Sequence, residues 1–261
     1  MGATAARGHL PFRATPSIGC AMVSGPASLP VFRGALPLSL LRGVDCWIFD
    51  LDNTLYPASA DLFGLIEARM GDFIAARLGI DLAEAKRLQK NWYLDHGTTL
   101  AGLMMHHGVD PHHFLNYVHD IPMDRLSPDP ALKAAITALP GRRMVYTNGD
   151  EPYARRVLAA LGLSNMFDPI HDIHACAYKP KPDPSGYALL QERYGIDTAN
   201  AAMFEDMARN LKPARAVGMR TIWIDNGIEA GDVGHHPDHI DFETPDLTAF
   251  LTALVQELTQ P

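Results

Sequence analysis

Cysteine is scarce: the 261 residues hold three, Cys20, Cys46 and Cys176, far apart and with no CxxC pair. That leaves no basis for a disulfide framework or a thiolate zinc site, and it makes a reducing compartment, the cytoplasm, the expected home. No apolar run approaches the ~18 residues that a membrane helix needs, so no span is expected. Positive charge is also in short supply. With 22 Lys and Arg against 30 Asp and Glu, the formal charge of −8 argues against a broad surface for a nucleic-acid polymer. A small anionic substrate is not excluded, because a metal and one lysine can reverse the sign locally. Acidic residues are missing altogether from residues 1–43, which carry Arg7, Arg13, Arg33 and Arg42. Arginine without acids fits a targeting peptide. Pro11, Pro16, Pro26, Pro30 and Pro37 would break any amphipathic helix there, which favours a disordered N-terminal extension with Met22 as an alternative start.

The remainder reads as an ordinary globular chain, 47% hydrophobic and 20% charged, long enough for one core domain carrying a smaller insert. Folding is expected to begin at Val44. The run Val44 to Phe49 is short and mostly apolar and ends in Asp50-Leu51-Asp52-Asn53-Thr54, as a buried strand with polar residues at its carboxyl end would. Residues 143–147, 201–205 and 220–225 have the same character, and helical sequence separates them. Strands alternating with helices predict an α/β fold with a parallel sheet covered on both faces, where ligands bind beyond the strand ends. Residues 57–128 are helical instead: Asp81 and Glu84 have capping-box spacing, Asp110-Pro111 and Asp129-Pro130 mark helix starts, and Leu62, Ile66, Met70, Phe73 and Ile74 share one stripe. The expected division is therefore an extension at 1–43, a core from 44–56 and 129–261, and an inserted helical cap at 57–128 that can close over the strand ends.

Four constellations carry chemistry. In the first, Asp50 at a strand end can attack phosphorus and form an acyl phosphate, while Asp52 can protonate the leaving oxygen and lend a backbone carbonyl to a cation. In the second, Thr147-Asn148-Gly149 can hold phosphate oxygens at the start of a helix. In the third, Lys179-Pro180-Lys181-Pro182 offers a lysine fixed by proline as a positioned cation. The fourth, Glu205-Asp206 with Asn210 four residues on, offers carboxylates to Mg²⁺. Each alone is equally well a turn, a cap or a solvated loop.

The order and spacing of all four resemble the haloacid dehalogenase-like superfamily, over Val44 to about Asp225. The resemblance implies a Rossmann-like core with a cap inserted after the first motif. It further implies Asp50 as nucleophile, Asp52 as acid and base, Thr147 as phosphate-holder, a motif lysine, and Mg²⁺ held by Asp50, the Asp52 carbonyl and Asp206. Lys181, 25 residues before Asp206 and followed at family spacing by Tyr187, is taken as that lysine, with Lys179 as the alternative. Dehalogenases in the superfamily usually lack the second carboxylate, so Asp52 points to phosphoryl chemistry; phosphohexomutases carry both aspartates and stay open. Residues 49–57, 96–103 and 204–211 are similar to the pyrimidine 5′-nucleotidase group, which implies a pyrimidine mononucleotide such as UMP or CMP as the small phosphorylated substrate. Phosphoglycolate and sugar phosphates remain alternatives, as does a catalytically silent phosphate-binding protein. Some relatives carry two aspartates where this chain has Glu205-Asp206, which leaves direct ligation by Glu205 open.

In the cap segment, Trp92, Tyr93, His96, Thr98 and Thr99 are candidates to meet base or ribose, against core packing and a helix end. The histidines at 106, 107, 112, 113, 235, 236 and 239 invite a zinc site; solvated surface is the better expectation, because the first set surrounds a turn and the second sits in a Gly/Pro-rich loop.

Overall fold

β1 (Cys46–Phe49) is buried at all four positions, as a central parallel strand with helices on both faces has to be. The computed structural model describes residues 1, 36–228 and 230–260, so most of the expected N-terminal extension, with Cys20 and Met22, lies outside the described residues. Five further strands follow: β2 (Arg142–Tyr146), β3 (Ile170–His171), β4 (Ala201–Glu205), β5 (Arg220–Ile224) and β6 (Phe242–Thr244). All pair in parallel, in the order β3-β2-β1-β4-β5-β6. This is the doubly wound order, and its switch point is the β1–β4 boundary, where connections leave in opposite directions and a crevice opens at the carboxyl ends.

The two-residue period of the strands sorts their side chains into two cores. Trp47, Phe49, Val145, Ala202 and Phe204 pack on one face, and Cys46, Ile48, Met144, Tyr146 and Met203 on the other. Phe49 and Phe204 stack with centroids 4.5 Å apart across the switch point. Burying each such side chain contributes roughly 1.5–3 kcal/mol, so the strand ends that carry the polar motifs are anchored from beneath.

Between β1 and β2 lie α1 (Leu62–Leu78), α2 (Leu82–His96), α3 (Thr99–His107), α4 (Pro111–Val118) and α5 (Pro130–Ala138). The first four pack on one another, while α5 packs on the last helix of the chain. Asp81 caps α2 by accepting from the Glu84 N–H, and Asp110 and Asp129 cap α4 and α5 ahead of their prolines. The predicted stripe on α1 is buried at Leu62, Ile66, Phe73 and Ile74 and half-buried at Met70. The remaining helices, α6 (Glu151–Ala160), α7 (Pro184–Tyr194), α8 (Ala208–Ala216) and α9 (Leu247–Thr259), complete the layers. No helix among the described residues is long and apolar enough to cross a membrane.

Three features differ from expectation. Packed structure is present before Val44: Leu38–Leu41 form a 3₁₀ turn, Leu41 is fully buried, and Arg42 reaches Glu257 at 3.1 Å. The composition of residues 1–43 hid this, because two leucines packing on α9 do not alter an acid-poor average. Two strands, β3 and β6, were not anticipated; at two and three residues they are too short to show a period. The second expected strand starts and stops one residue earlier, leaving Thr147 just beyond its end.

Candidate active site

Asp50 leaves β1 with its backbone N–H still bonded to the Phe204 carbonyl, so its position is set by the sheet. Its Oδ1 receives Lys181 Nζ at 2.6 Å and its Oδ2 receives the Thr54 hydroxyl at 3.0 Å. Lys181 Nζ also donates to Glu205 Oε2 at 2.6 Å and to the Tyr146 carbonyl at 3.0 Å. It is 4% exposed whereas Lys179 is on the surface, so Lys181 is the lysine brought to Asp50. Its loop is held by Asn148, whose Oδ1 accepts the Lys181 backbone N–H at 2.7 Å and whose Nδ2 reaches the Lys181 carbonyl at 3.4 Å. Asn148, expected on phosphate, thus has its amide on the lysine loop. Thr147 is buried, and its hydroxyl accepts the Gly149 N–H at 3.0 Å, next to the start of α6.

Asp206 follows β4. Its Oδ2 accepts from Asn226 Nδ2 at 3.2 Å, and that same amide reaches the Asn53 carbonyl at 3.3 Å, tying the loops after β1, β4 and β5 together. One oxygen each from Asp50, Glu205 and Asp206 lie within 4.8 Å of one another, and all three residues are buried. Three buried carboxylates around one ammonium leave negative charge in excess. Burial first, then the Glu205 charge, pushes the Asp50 carboxyl up to about 7 despite Lys181. Burial, Glu205 and Asp50 likewise push Asp206 to about 9. Burial opposes the lysine cation, yet Asp50 and Glu205 hold its acidity well below ordinary. A hard divalent cation fits this donor set, since it would offset charge that the protein leaves uncompensated.

Asp52 is held differently. Both described hydrogen bonds to its carboxylate end on Oδ1: the Tyr56 hydroxyl at 2.6 Å and the Tyr153 hydroxyl at 2.7 Å. Tyr153 lies in the first turn of α6, which Asp150 caps, and its ring stacks on His119 at 4.3 Å between centroids. His119 Nδ1 meets Asp150 Oδ1 at 2.8 Å. Burial works against the Asp150 charge, but its hydrogen bond to His119 helps hold the carboxyl below its usual range.

Sequence reasoning passed over Tyr56, Tyr153, His119 and Asn226. Only Tyr56 left a trace, four residues after Asp52 in a run already singled out. The proposed cap contacts are engaged locally. Thr98 caps α3 by accepting the Ala101 N–H, Thr99 is buried and reaches the Gln89 carbonyl at 3.4 Å, and His96 Nε2 meets His106 Nε2 at 3.0 Å. Trp92 is buried beside Gly102, where any side chain would collide with the indole. Around this segment a Cβ at Gly97 would lie 3.5 Å from Pro180, and the Tyr93 hydroxyl meets the Arg209 guanidinium. Most of the other histidines are surface residues, though His239 is buried, and the three carboxylates above are the one metal-competent cluster among the described residues. Cys46 and Cys176 are both free and buried.

A protein-family profile described as haloacid dehalogenase-like hydrolase matches residues 44–218. The chain is 28% identical over 193 residues to Phosphate metabolism protein 8 of Saccharomyces cerevisiae, covering 66% of this chain and 59% of that protein. It is 31% identical over 121 residues to the fructose-1-phosphate phosphatase YqaB of Escherichia coli, covering 44% of this chain and 63% of that one. The chain therefore spans about six tenths of the length of these curated relatives. A phosphatase structure from Thermococcus onnurineus superposes with a TM-score of 0.55 at 22% identity, over 83% of this chain and 98% of that one. A 2-haloacid dehalogenase from Pseudomonas syringae superposes at 0.53 and 20% identity, over 82% and 99%. At such identities the two structures speak for the fold alone.

Proposed function

This chain belongs to the haloacid dehalogenase-like hydrolases, and from that premise we propose that it is a phosphatase acting on small phosphate monoesters through an aspartyl-phosphate, with pyrimidine nucleoside 5′-monophosphates as substrate. The observation that carries the reading is Asp52, a carboxylate two residues from Asp50 and held by two phenols. A departing halide needs no proton; a departing alkoxide does.

In this mechanism Asp50 attacks phosphorus, the new O–P bond forming as the bond to the ester oxygen breaks. Asp52 gives its proton to that oxygen, so the alcohol leaves neutral. Water then attacks the aspartyl-phosphate, Asp52 takes the water's proton, and Asp50 is released with inorganic phosphate. Lys181 holds Asp50 in line and offsets phosphate charge. Thr147 and the N–H groups at the start of α6 would take phosphate oxygens. Asp50, Asp206 and the Asp52 carbonyl would hold Mg²⁺, with Glu205 beside them; when bound, the ion neutralises charge on carboxylates and phosphate alike.

Residues 44–56 and 129–261 form the catalytic core in this reading, and 57–128 the cap. The nucleoside would lie under the turn at Gly97, supported by that turn's approach to Pro180. The free state of Cys46 and Cys176 accords with a cytoplasmic setting. The test is phosphate release from UMP, CMP, dUMP, AMP, GMP, phosphoglycolate and hexose phosphates, with Mg²⁺ and with EDTA. Release that needs Mg²⁺, favours UMP and CMP and disappears in Asp50→Asn is expected. Preference for phosphoglycolate or a sugar phosphate would keep the mechanism and overturn the nucleotide assignment. Folded protein releasing nothing would return a mutase or a phosphate-binding protein.

A further inference from the structure

Both hydroxyls that reach Asp52 end on the same oxygen. Tyr56 and Tyr153 donate to Oδ1 at 2.6 and 2.7 Å, and no described hydrogen bond goes to Oδ2. The two rings are 3% and 1% exposed, and burial followed by the Asp52 charge pushes both phenols far above their usual range. They therefore stay protonated and can act only as donors toward that carboxylate. Asp52 itself keeps partial exposure, and its Oδ2 is the carboxylate oxygen with no described hydrogen bond.

The clamp is itself built in. Tyr56 is four residues from Asp52, beyond the Thr54 that bonds Asp50, so the same short turn serves both carboxylates. Tyr153 comes from the far side, at the start of α6, and its ring lies at 15° to the His119 imidazole. His119 follows α4 and is fixed three ways. Its Nδ1 meets Asp150, its N–H bonds the Leu115 carbonyl at 3.0 Å, and its carbonyl accepts from Arg156 at 2.8 Å. Helix α6 is thus joined at one point to the exit of the inserted helices and to Asp52.

We propose that Tyr56 and Tyr153 are positioning residues that fix Asp52 through Oδ1, so that Oδ2 is the oxygen that carries the proton to the leaving group and takes it back from water. The inference rests on the phosphatase reading. Two charge-assisted hydrogen bonds at one oxygen restrain a side chain that would otherwise rotate about its terminal bond, and general acid catalysis depends on that direction. Neither phenol has a described hydrogen bond to Asp50, Glu205 or Asp206.

The test compares leaving groups. A poorly leaving alkoxide, as in UMP or a sugar phosphate, needs the proton; p-nitrophenolate needs little of it. Tyr56→Phe, Tyr153→Phe and the double variant keep both rings and the stack on His119. For the double variant, kcat on the alkyl ester should fall about 30-fold or more, and on p-nitrophenyl phosphate less than about 3-fold, with each single variant between. An equal fall on both esters, or no fall on either, would overturn the positioning role, since lost folding or a passive packing role cannot tell one leaving group from another. Wild-type protein that turns over neither ester would overturn the phosphatase reading itself, and with it this inference.

Discussion

The strand ends and the inserted helices hold polar residues in opposite ways. At the ends of β1 and β4 charge is buried and shared: Lys181, Asp50 and Glu205 are all 5% exposed or less, and one ammonium serves two carboxylates at 2.6 Å each. On α2 and α3 the ion pair of Glu84 with Arg87 is exposed, His106 lies at the surface, and Leu94 and Met105 are 67% and 68% exposed. A desolvated cluster tolerates no loss of a partner, because the remaining charge stays buried. A helix surface has no such constraint, since its fold is set by the stripe beneath. Chemistry shared by a family belongs in the first kind of region, and substrate choice can be rewritten in the second.

The largest effect comes from removing the shared cation. Lys181→Met keeps the length of the stem and leaves Asp50, Glu205 and Asp206 facing one another without it. We expect a loss of about 3–5 kcal/mol in unfolding free energy and of about 10²–10³ in phosphate release, with Mg²⁺ recovering part of the stability. Denaturant unfolding with and without Mg²⁺ measures this. An unchanged midpoint would mean that the cluster is not the desolvated unit its burial implies. Breaking the exposed Glu84–Arg87 pair by Arg87→Ala should leave the midpoint where it was.

The second comparison uses one residue type in the two regions. His171, at the end of β3, is fully buried and donates from Nε2 to the Gly186 carbonyl at 3.1 Å, and burial pushes its imidazole down to about 4. In the unfolded chain the ring takes a proton as pH falls through about 6.5. The folded ring does not do so until about 4. Stability from this residue is therefore whole above about 6.5 and lost as pH drops toward 4, a total on the order of 3 kcal/mol. His171→Gln should flatten the melting temperature over that window relative to wild type. The same replacement at exposed His112 should not, and equal slopes for wild type and His171→Gln would break the contrast.

These regions also differ in what could be read ahead of the structure. The parallel core was legible because buried strands such as Cys46–Phe49 and Ala201–Glu205 are continuous apolar runs ending in acids. That Asp50, Lys181 and Asp206 would meet at the strand ends was legible through order and spacing, and burial singles out Lys181 over Lys179. Tyr56, Tyr153 and His119 carried no such signal. A tyrosine at the start of a helix is ordinary until the fold brings it 101 residues across the chain to Asp52. β3 and β6 were invisible for lack of length. Among the inserted helices, motif similarity singled out Thr98 and His96 without showing that they are engaged locally.

Thr98 is where that last point can be sharpened, with the smallest effect. Its hydroxyl accepts the Ala101 N–H at 3.1 Å and so satisfies one of the unpaired donors that open α3. Thr98→Ala should cost about 1 kcal/mol, as loss of a cap does. Because α3 packs chiefly on α2, the loss should appear as faster amide exchange in α3 with kcat unchanged. If the hydroxyl instead reads the nucleoside, KM for UMP rises while α3 exchange stays as it was. Thr98→Ser keeps a hydroxyl that caps as well as threonine's and restores the exchange rate if capping is the role. A substrate contact through the threonine methyl would not be restored. The outcome decides whether the Thr98 side chain serves a substrate or only the start of α3.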